Sequence, residues 1–343
     1  MENKTTKNQM KTPPIRFALI GAGGIAQAYV QAFDESECCE LVVVADIRED
    51  AAVALAEMSG CKSYSDYKQL AGLDLDAVIV ATPPVSHPEI SCFFMERGIS
   101  VLCEKPLCLS VGEANRMITS ALENDVLFTM ASKFRYCEDV IKAKAILASG
   151  MLGEVIQFEN AFTAKIDMSR RWNSSAEISG GGVLIDNGTH SVDIIRYFLG
   201  AIESVLVVET GGTQGLSVDE NVKMFAKTKN QVTASVDLAW GINKELPYFI
   251  SIFGTNGTLH IGWRESKYRI NSNPDWTVFG KGYDKVAAFK AKIENFSNAL
   301  RGKEELYIKP ADALASVQVI DACYKSLNQN LWQPVAERAL AVK

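Results

Sequence analysis

Three side chains in this sequence suit proton transfer. Lys105 stands in Glu104-Lys105-Pro106-Leu107, directly after the apolar run Ser100 to Cys103. Asp186 and His190 lie in the stretch GGGVLIDNGTHSVD, which runs from Gly180 to Asp193 and reads as a helix continuing to Phe198 and Gly200. At i and i+4 the two project from one helix face, and Asp193 continues that face. The triple glycine marks a helix start where backbone can approach a neighbour closely. An imidazole, with an ordinary pKa of ~6.5, takes up a proton near neutral pH, and Asp186 is expected to hold its tautomer. A lysine ammonium, ordinarily at ~10.4, polarises a reacting oxygen, or shuttles a proton where burial and a nearby cation lower its pKa. Either Lys105 or His190 could be the formal base.

A second group of residues suits a dinucleotide. Gly21-Ala-Gly23-Gly24-Ile25-Ala26 follows the run Phe17 to Ile20 and opens a helical pattern, the context that makes a G-x-G-x-x-G/A match informative. Gly21 permits a tight turn, Gly23 lets backbone approach a pyrophosphate, and Ala26 still lets the helix pack near the strand; Gly24 and Ile25 complete the loop. Asp46 closes the run Leu41 to Ala45, twenty positions beyond Ala26, where a carboxylate accepts hydrogen bonds from an adenosine ribose and repels a 2′-phosphate. NAD is therefore expected rather than NADP, with Arg48 the residue that would favour the phosphate. Glycine in an ordinary βα turn and Asp46 as a turn former are the competing structural readings.

These residues need a frame. From Arg16, short runs of Val and Ile without alternation trade places with helix-length amphipathic segments, which predicts a doubly wound α/β domain over residues 15–135, behind a leader at 1–14. Lys105 then falls at the carboxyl end of a strand, where open α/β sheets bind ligands, and Pro106, the residue type that takes a cis bond most readily, could aim it into the cleft. Past Tyr136 the strands begin to alternate: Val232, Ala234, Val236 and Leu238 fall on one face, Thr233, Ser235 and Asp237 on the other. Residues 136–343 read as an α+β domain with a large, mainly antiparallel open sheet, ending in helices near Val286 to Arg301 and Ala311 to Asn328.

Composition bounds the function. With 343 residues, 48% hydrophobic, the chain can bury a full core without disulfide or metal staples. A net charge of −6 and a pI near 5.3 disfavour nucleic acid and anionic membrane as partners. The eight cysteines form no Cys-x-x-Cys pair and have no histidine at zinc-ligand spacing, so no metal is expected. With no signal-peptide pattern and no apolar run of membrane-span length, the expected setting is cytoplasmic.

Taken in chain order, GAGGIA, ADI at 45–47, ATPPVSHPE at 81–89, CEKPL at 103–107 and GGGVLIDNGTHSVD resemble the glucose-fructose oxidoreductase/inositol dehydrogenase/MocA family. The resemblance spans most of the chain and implies an N-terminal Rossmann domain and a C-terminal domain whose open sheet packs subunits into a homodimer or homotetramer. It implies hydride exchange between a nicotinamide cofactor and a hydroxyl carbon of a sugar, inositol, sugar phosphate or nucleotide sugar. Lys105, Asp186 and His190 match the family's catalytic residues. Ala81, Thr82, Pro83 and His87 would line the cofactor, with Glu104 near the nicotinamide ribose. Arg135 and Tyr136, and Arg171 with Trp172 in the loop before the glycine helix, are expected substrate contacts, because arginine and aromatic faces suit hydroxylated or phosphorylated ligands. The rival readings are an NAD-dependent glycosidase working by transient oxidation and a dinucleotide-sensing regulator without catalysis. A regulator has no need of Lys105, Asp186 and His190.

Overall fold

The structure, a computed structural model, describes residues 13–336; most of the expected leader, residues 1–12, and residues 337–343 lie outside that range. Strands β1 (Ile15–Ile20), β2 (Cys39–Ala45), β3 (Lys62–Tyr64), β4 (Ala77–Val80), β5 (Ser100–Glu104) and β6 (Phe128–Ala131) form one sheet in the order β3-β2-β1-β4-β5-β6. Every pairing in it is parallel. The strand sequences account for this: β4 is Ala-Val-Ile-Val and β5 is Ser-Val-Leu-Cys-Glu, buried along their whole lengths, so both faces need cover. Helices α1 (Ala26–Asp34), α2 (Glu49–Ser59), α3 (His87–Met95) and α4 (Val111–Glu123) supply much of it. Ser110 starts α4 by accepting from Glu113 N at 3.2 Å. Strand order reverses between β1 and β4, which opens a crevice at their carboxyl ends.

After helix α5 (Glu138–Ala148) the chain builds a nine-stranded sheet. Its strands are β7 (Val155–Thr163), β8 (Ile202–Glu209), β9 (Asn221–Thr228), β10 (Thr233–Ala239), β11 (Tyr248–Gly254), β12 (Gly257–Gly262), β13 (Ser266–Ile270), β14 (Asn273–Gly280) and β15 (Gln333–Pro334), ordered β14-β13-β12-β11-β7-β10-β9-β8-β15. All neighbours are antiparallel except β7 and β10. Register assigns the faces. One row across the sheet reads Phe225, Ser235, Glu159, Ser251, His260; the next row, on the opposite face, reads Met224, Val236, Asn160, Ile250, Ile261 and is buried. Against that buried face, in one apolar cluster with it, lies α7 (Val183–Leu199), preceded by the short α6 (Ala176–Ser179). The fold class is the one the patterning predicts, a Rossmann-type parallel domain followed by a mainly antiparallel sheet domain. Strand β13 is mostly half-buried and β14 largely exposed, and neither shows a regular alternation of buried and exposed positions.

Helices α8 (Lys285–Leu300) and α9 (Pro310–Gln329) return to the first sheet. Phe289, Ile293 and Phe296 of α8 share a core with Phe17 and Tyr29, while α9 gives Leu314 and Val317 to the Rossmann core and Val319, Ile320 and Cys323 to the other. Full burial of a phenylalanine such as Phe289 stabilises the fold by about 1.5–3 kcal/mol relative to exposure.

Candidate active site

The glycine loop joins the end of β1 to α1. Gly21 has φ +105°, and a Cβ there would lie 2.6 Å from the Ala81 carbonyl oxygen, so only glycine fits between the ends of β1 and β4. Nothing lies within 4 Å of a Cβ built on Gly23 or Gly24; side chains there would enter the open space that a pyrophosphate needs. Asp46 Oδ2 accepts from Ala22 N at 2.7 Å and Oδ1 from Arg48 N at 2.8 Å, which ties the carboxylate to both loops. The Arg48 guanidinium lies 3.5 Å from the same carboxylate. Gly21, Gly23, Gly24, Ile25, Asp46, Ala81, Thr82 and Pro83 all line one cavity of about 1030 Å³. A cradle that Cβ atoms would fill, a helix start beside it and an anchored carboxylate fit a dinucleotide.

A smaller cavity of about 340 Å³ adjoins it, sharing Ile25, Ala81, Thr82 and Trp172. Its walls include Glu104, Lys105, Lys133, Asn187 and His190. Lys105 enters from the end of β5, and its bond to Pro106 is cis. Lys105 Nζ donates to Asp186 Oδ1 at 2.6 Å and to the Asp186 carbonyl oxygen at 3.1 Å. The start of α7 is held by Asp219, whose carboxylate accepts from Gly182 N at 2.9 Å and Leu184 N at 2.7 Å. A Cβ at Gly182 would overlap the Asp219 carbonyl, so glycine is required for that close approach. One turn past Asp186, the His190 ring stands edge-on to Phe134 at 5.0 Å, with Nδ1 buried and unpartnered. Burial, with the charges of Lys105, Lys133 and Lys292, holds its pKa well below 6.5, so the imidazole is neutral at neutral pH. Asp186 does not hold the tautomer as expected from the i, i+4 spacing, because its carboxylate is taken up by Lys105.

Beneath Lys105 lies a buried charge pair. Glu104 Oε1 accepts from Lys292 Nζ at 2.8 Å and from Tyr29 Oη at 2.7 Å, and Oε2 accepts from Lys105 N at 3.1 Å. Burial raises the Glu104 pKa, but the Lys292 ammonium, the hydrogen bonds from Lys292 and Tyr29 and the Lys105 charge outweigh it and leave the carboxyl below its ordinary value. Lys292 has no exposed side chain and also sits over the Phe289 ring at 3.8 Å.

Three expected contacts lie elsewhere. His87 is fully buried, with Nε2 2.8 Å from the Thr82 carbonyl oxygen and Nδ1 3.0 Å from that of Pro106, so it ties two site loops together and lines neither cavity. Arg135 is spent on buried ion pairs, 2.7 Å to Asp193 and 3.2 Å to Asp312, and Tyr136 stacks on Tyr307 at 5.5 Å. A junction position in the sequence did not reveal that these two side chains face packing partners. Arg171 lines the larger cavity and Trp172 both. Lys133 and Asn187 were missed; the available signal for Lys133 was its place just after β6, as Lys105 follows β5. Among the described residues no group of three or more His, Cys, Asp or Glu could hold a metal, and no helix is long and apolar enough to cross a membrane.

A doubly wound parallel sheet whose glycine-cradled dinucleotide cavity opens onto a lysine, a carboxylate and a neutral histidine defines an NAD-binding oxidoreductase. The chain belongs to the GFO/IDH/MocA family: residues 15–132 match the oxidoreductase family with NAD-binding Rossmann fold, and residues 140–260 match the GFO/IDH/MocA C-terminal domain. It is 32% identical over 274 residues to D-glucoside 3-dehydrogenase of Escherichia coli strain K12, covering 77% of this chain and 73% of that one. It is 24% identical over 331 residues to inositol 2-dehydrogenase of Rhizobium meliloti strain 1021, covering 91% and 97%. The solved structure of levoglucosan dehydrogenase in complex with NADH and levoglucosan shares the fold, with a TM-score of 0.87 at 21% identity over 95% of this chain and 100% of that one.

Proposed function

We propose that this chain oxidises a hydroxyl carbon of a sugar or polyol, or reduces the corresponding carbonyl, with Lys105 and His190 as its acid–base pair. The observation that carries the reading is the meeting, in one cavity beside the glycine cradle, of a neutral buried imidazole and a lysine held by Asp186. Bound NAD supplies the hydride acceptor, and Gly21, Gly23, Gly24 and Asp46 are the residues that would hold it. His190, with Nδ1 buried, has Nε2 left to accept the hydroxyl proton. Lys105 Nζ keeps a hydrogen free for the reacting oxygen and stabilises the charge that grows there as the proton leaves. Asp186 fixes the direction of that ammonium. Sugar and polyol dehydrogenases among the relatives support the same substrate class.

The test is a panel of inositols, free aldoses, sugar phosphates and nucleotide sugars, followed by NADH absorbance with NAD and NADP in parallel. Reduction of NAD by at least one member is expected. No reduction by any member overturns the reading, and cleavage of a p-nitrophenyl glycoside without net NADH would move it to transient oxidation.

A further inference from the structure

Strands β5 and β6 are parallel neighbours with Glu104 opposite Ala131, so Lys105 and Lys133 leave adjacent strand ends and both line the smaller cavity. Lys105 is neutralised by Asp186 at 2.6 Å and Lys292 by Glu104 at 2.8 Å. Both Glu104 oxygens already accept hydrogen bonds, Oε1 also from Tyr29 and Oε2 from Lys105 N. Lys133 has no ion-pair partner among the described residues; its Nζ lies 5.0 Å from the Phe134 ring centroid and 5.2 Å from that of Tyr283. Among Lys105, Lys133 and Lys292, three ammonium groups therefore meet two carboxylates, those of Asp186 and Glu104. Ring faces compensate a desolvated cation only in part. Burial, then the Lys105 charge, with a smaller push from Lys285, bring Lys133 down to about 8 against the opposing pull of Glu104 and Cys137. At neutral pH the side chain is still mainly ammonium, held beside substrate space with no counter-ion.

We propose that Lys133 is a specificity residue that binds an anionic substituent, a carboxylate or a phosphate, carried by the sugar or polyol. The inference rests on reading the smaller cavity as the substrate site. A neutral substrate would desolvate Lys133 further and return hydrogen bonds alone, whereas an anionic group supplies the missing charge as well and accepts stronger, charge-assisted hydrogen bonds.

The experiment compares D-glucose, D-glucuronate and D-glucose 6-phosphate in wild type, Lys133→Met and Lys133→Arg. Calorimetric binding to the NADH-saturated protein is measured beside NAD reduction. At least one anion should bind tenfold or more tightly than glucose to wild type, and which anion does so separates carboxylate from phosphate. That preference should fall towards unity in Lys133→Met and survive in Lys133→Arg. Equal binding of all three sugars by wild type, no binding of either anion, or a preference that persists in Lys133→Met overturns the proposal. Lys133-dependent anion binding with no NAD reduction by any sugar counts against the oxidoreductase reading alone. NAD reduction without anion preference counts against the Lys133 site alone. If circular dichroism shows Lys133→Met unfolded, Lys133→Gln replaces it, and the wild-type preference must then decline as pH rises through about 8.

Discussion

Lys105 Nζ lies 2.6 Å from Asp186 Oδ1, although 81 residues separate the two in sequence. One side chain leaves the end of a Rossmann strand and the other comes from the first turn of a helix that packs on the second sheet. The pair bridges the two sheets at the edge of the substrate cavity and gives Lys105 a defined direction. Both side chains are less than a quarter exposed, so the pair is screened far less than a surface ion pair.

Substitution should separate chemistry from cofactor binding. Lys105→Ala and His190→Ala should each lose about 10²- to 10⁴-fold in kcat, the usual range for a positioned acid or base. Asp186→Asn should lose less, because an amide oxygen still accepts from Lys105 Nζ. NAD affinity by calorimetry should move only a few-fold in all three, since the glycine loop and Asp46 lie in the adjoining cavity. Near-normal turnover of His190→Ala would return His190 to a structural role.

The pH profile should carry the mark of His190. A base works in its unprotonated form, and a pKa held well below 6.5 keeps that form available as the pH falls through 6.5. The acid limb of kcat/KM should therefore have its midpoint below 6.5. A limb centred at or above 6.5 that disappears in His190→Gln would contradict the burial argument.

Cofactor choice should depend on Asp46. Its carboxylate, which would receive the adenosine ribose, lines the larger cavity and already engages the Arg48 guanidinium at 3.5 Å. Asp46→Ser should narrow the NAD preference by releasing both effects. A wild-type preference for NADP of tenfold, equal to ~1.4 kcal/mol, would make Arg48 the determinant instead.

Stability should hinge on Lys292. Lys292→Met leaves the Glu104 carboxylate buried without its counter-ion, which should cost about 3–5 kcal/mol in denaturant unfolding. Adding Glu104→Gln should recover part of that loss. A single variant as stable as wild type would mean that Tyr29 and Lys105 N suffice to hold Glu104.

Assembly should use the second sheet. Its outer row carries Phe225 and His260, with His260 between Tyr248 at 4.4 Å and Trp276 at 5.1 Å, all half-buried in the single chain. Light scattering at micromolar concentration should find a dimer or tetramer. A monomer of 37.5 kDa would leave that aromatic row facing water.

What the sequence by itself determined is local. Unbroken Val and Ile runs specify strands buried on both faces, a glycine loop after such a run specifies the dinucleotide cradle, and 3.6-residue periodicity sets Asp186 and His190 on one helix face. Lys105 at a strand end was readable for the same reason. What only the tertiary structure decided is how charges pair and which side chains are hidden from solvent. Asp186 turns to Lys105 rather than His190, Arg135 turns to Asp193 instead of substrate, and Lys292 reaches Glu104 across 188 residues. Lys133 is left with ring faces alone because the nearby carboxylates are already occupied. Periodicity records which face of an element is apolar, but desolvation and Coulomb energies depend on distances to groups far along the chain, and those distances exist only after the two sheets, α8 and α9 have packed.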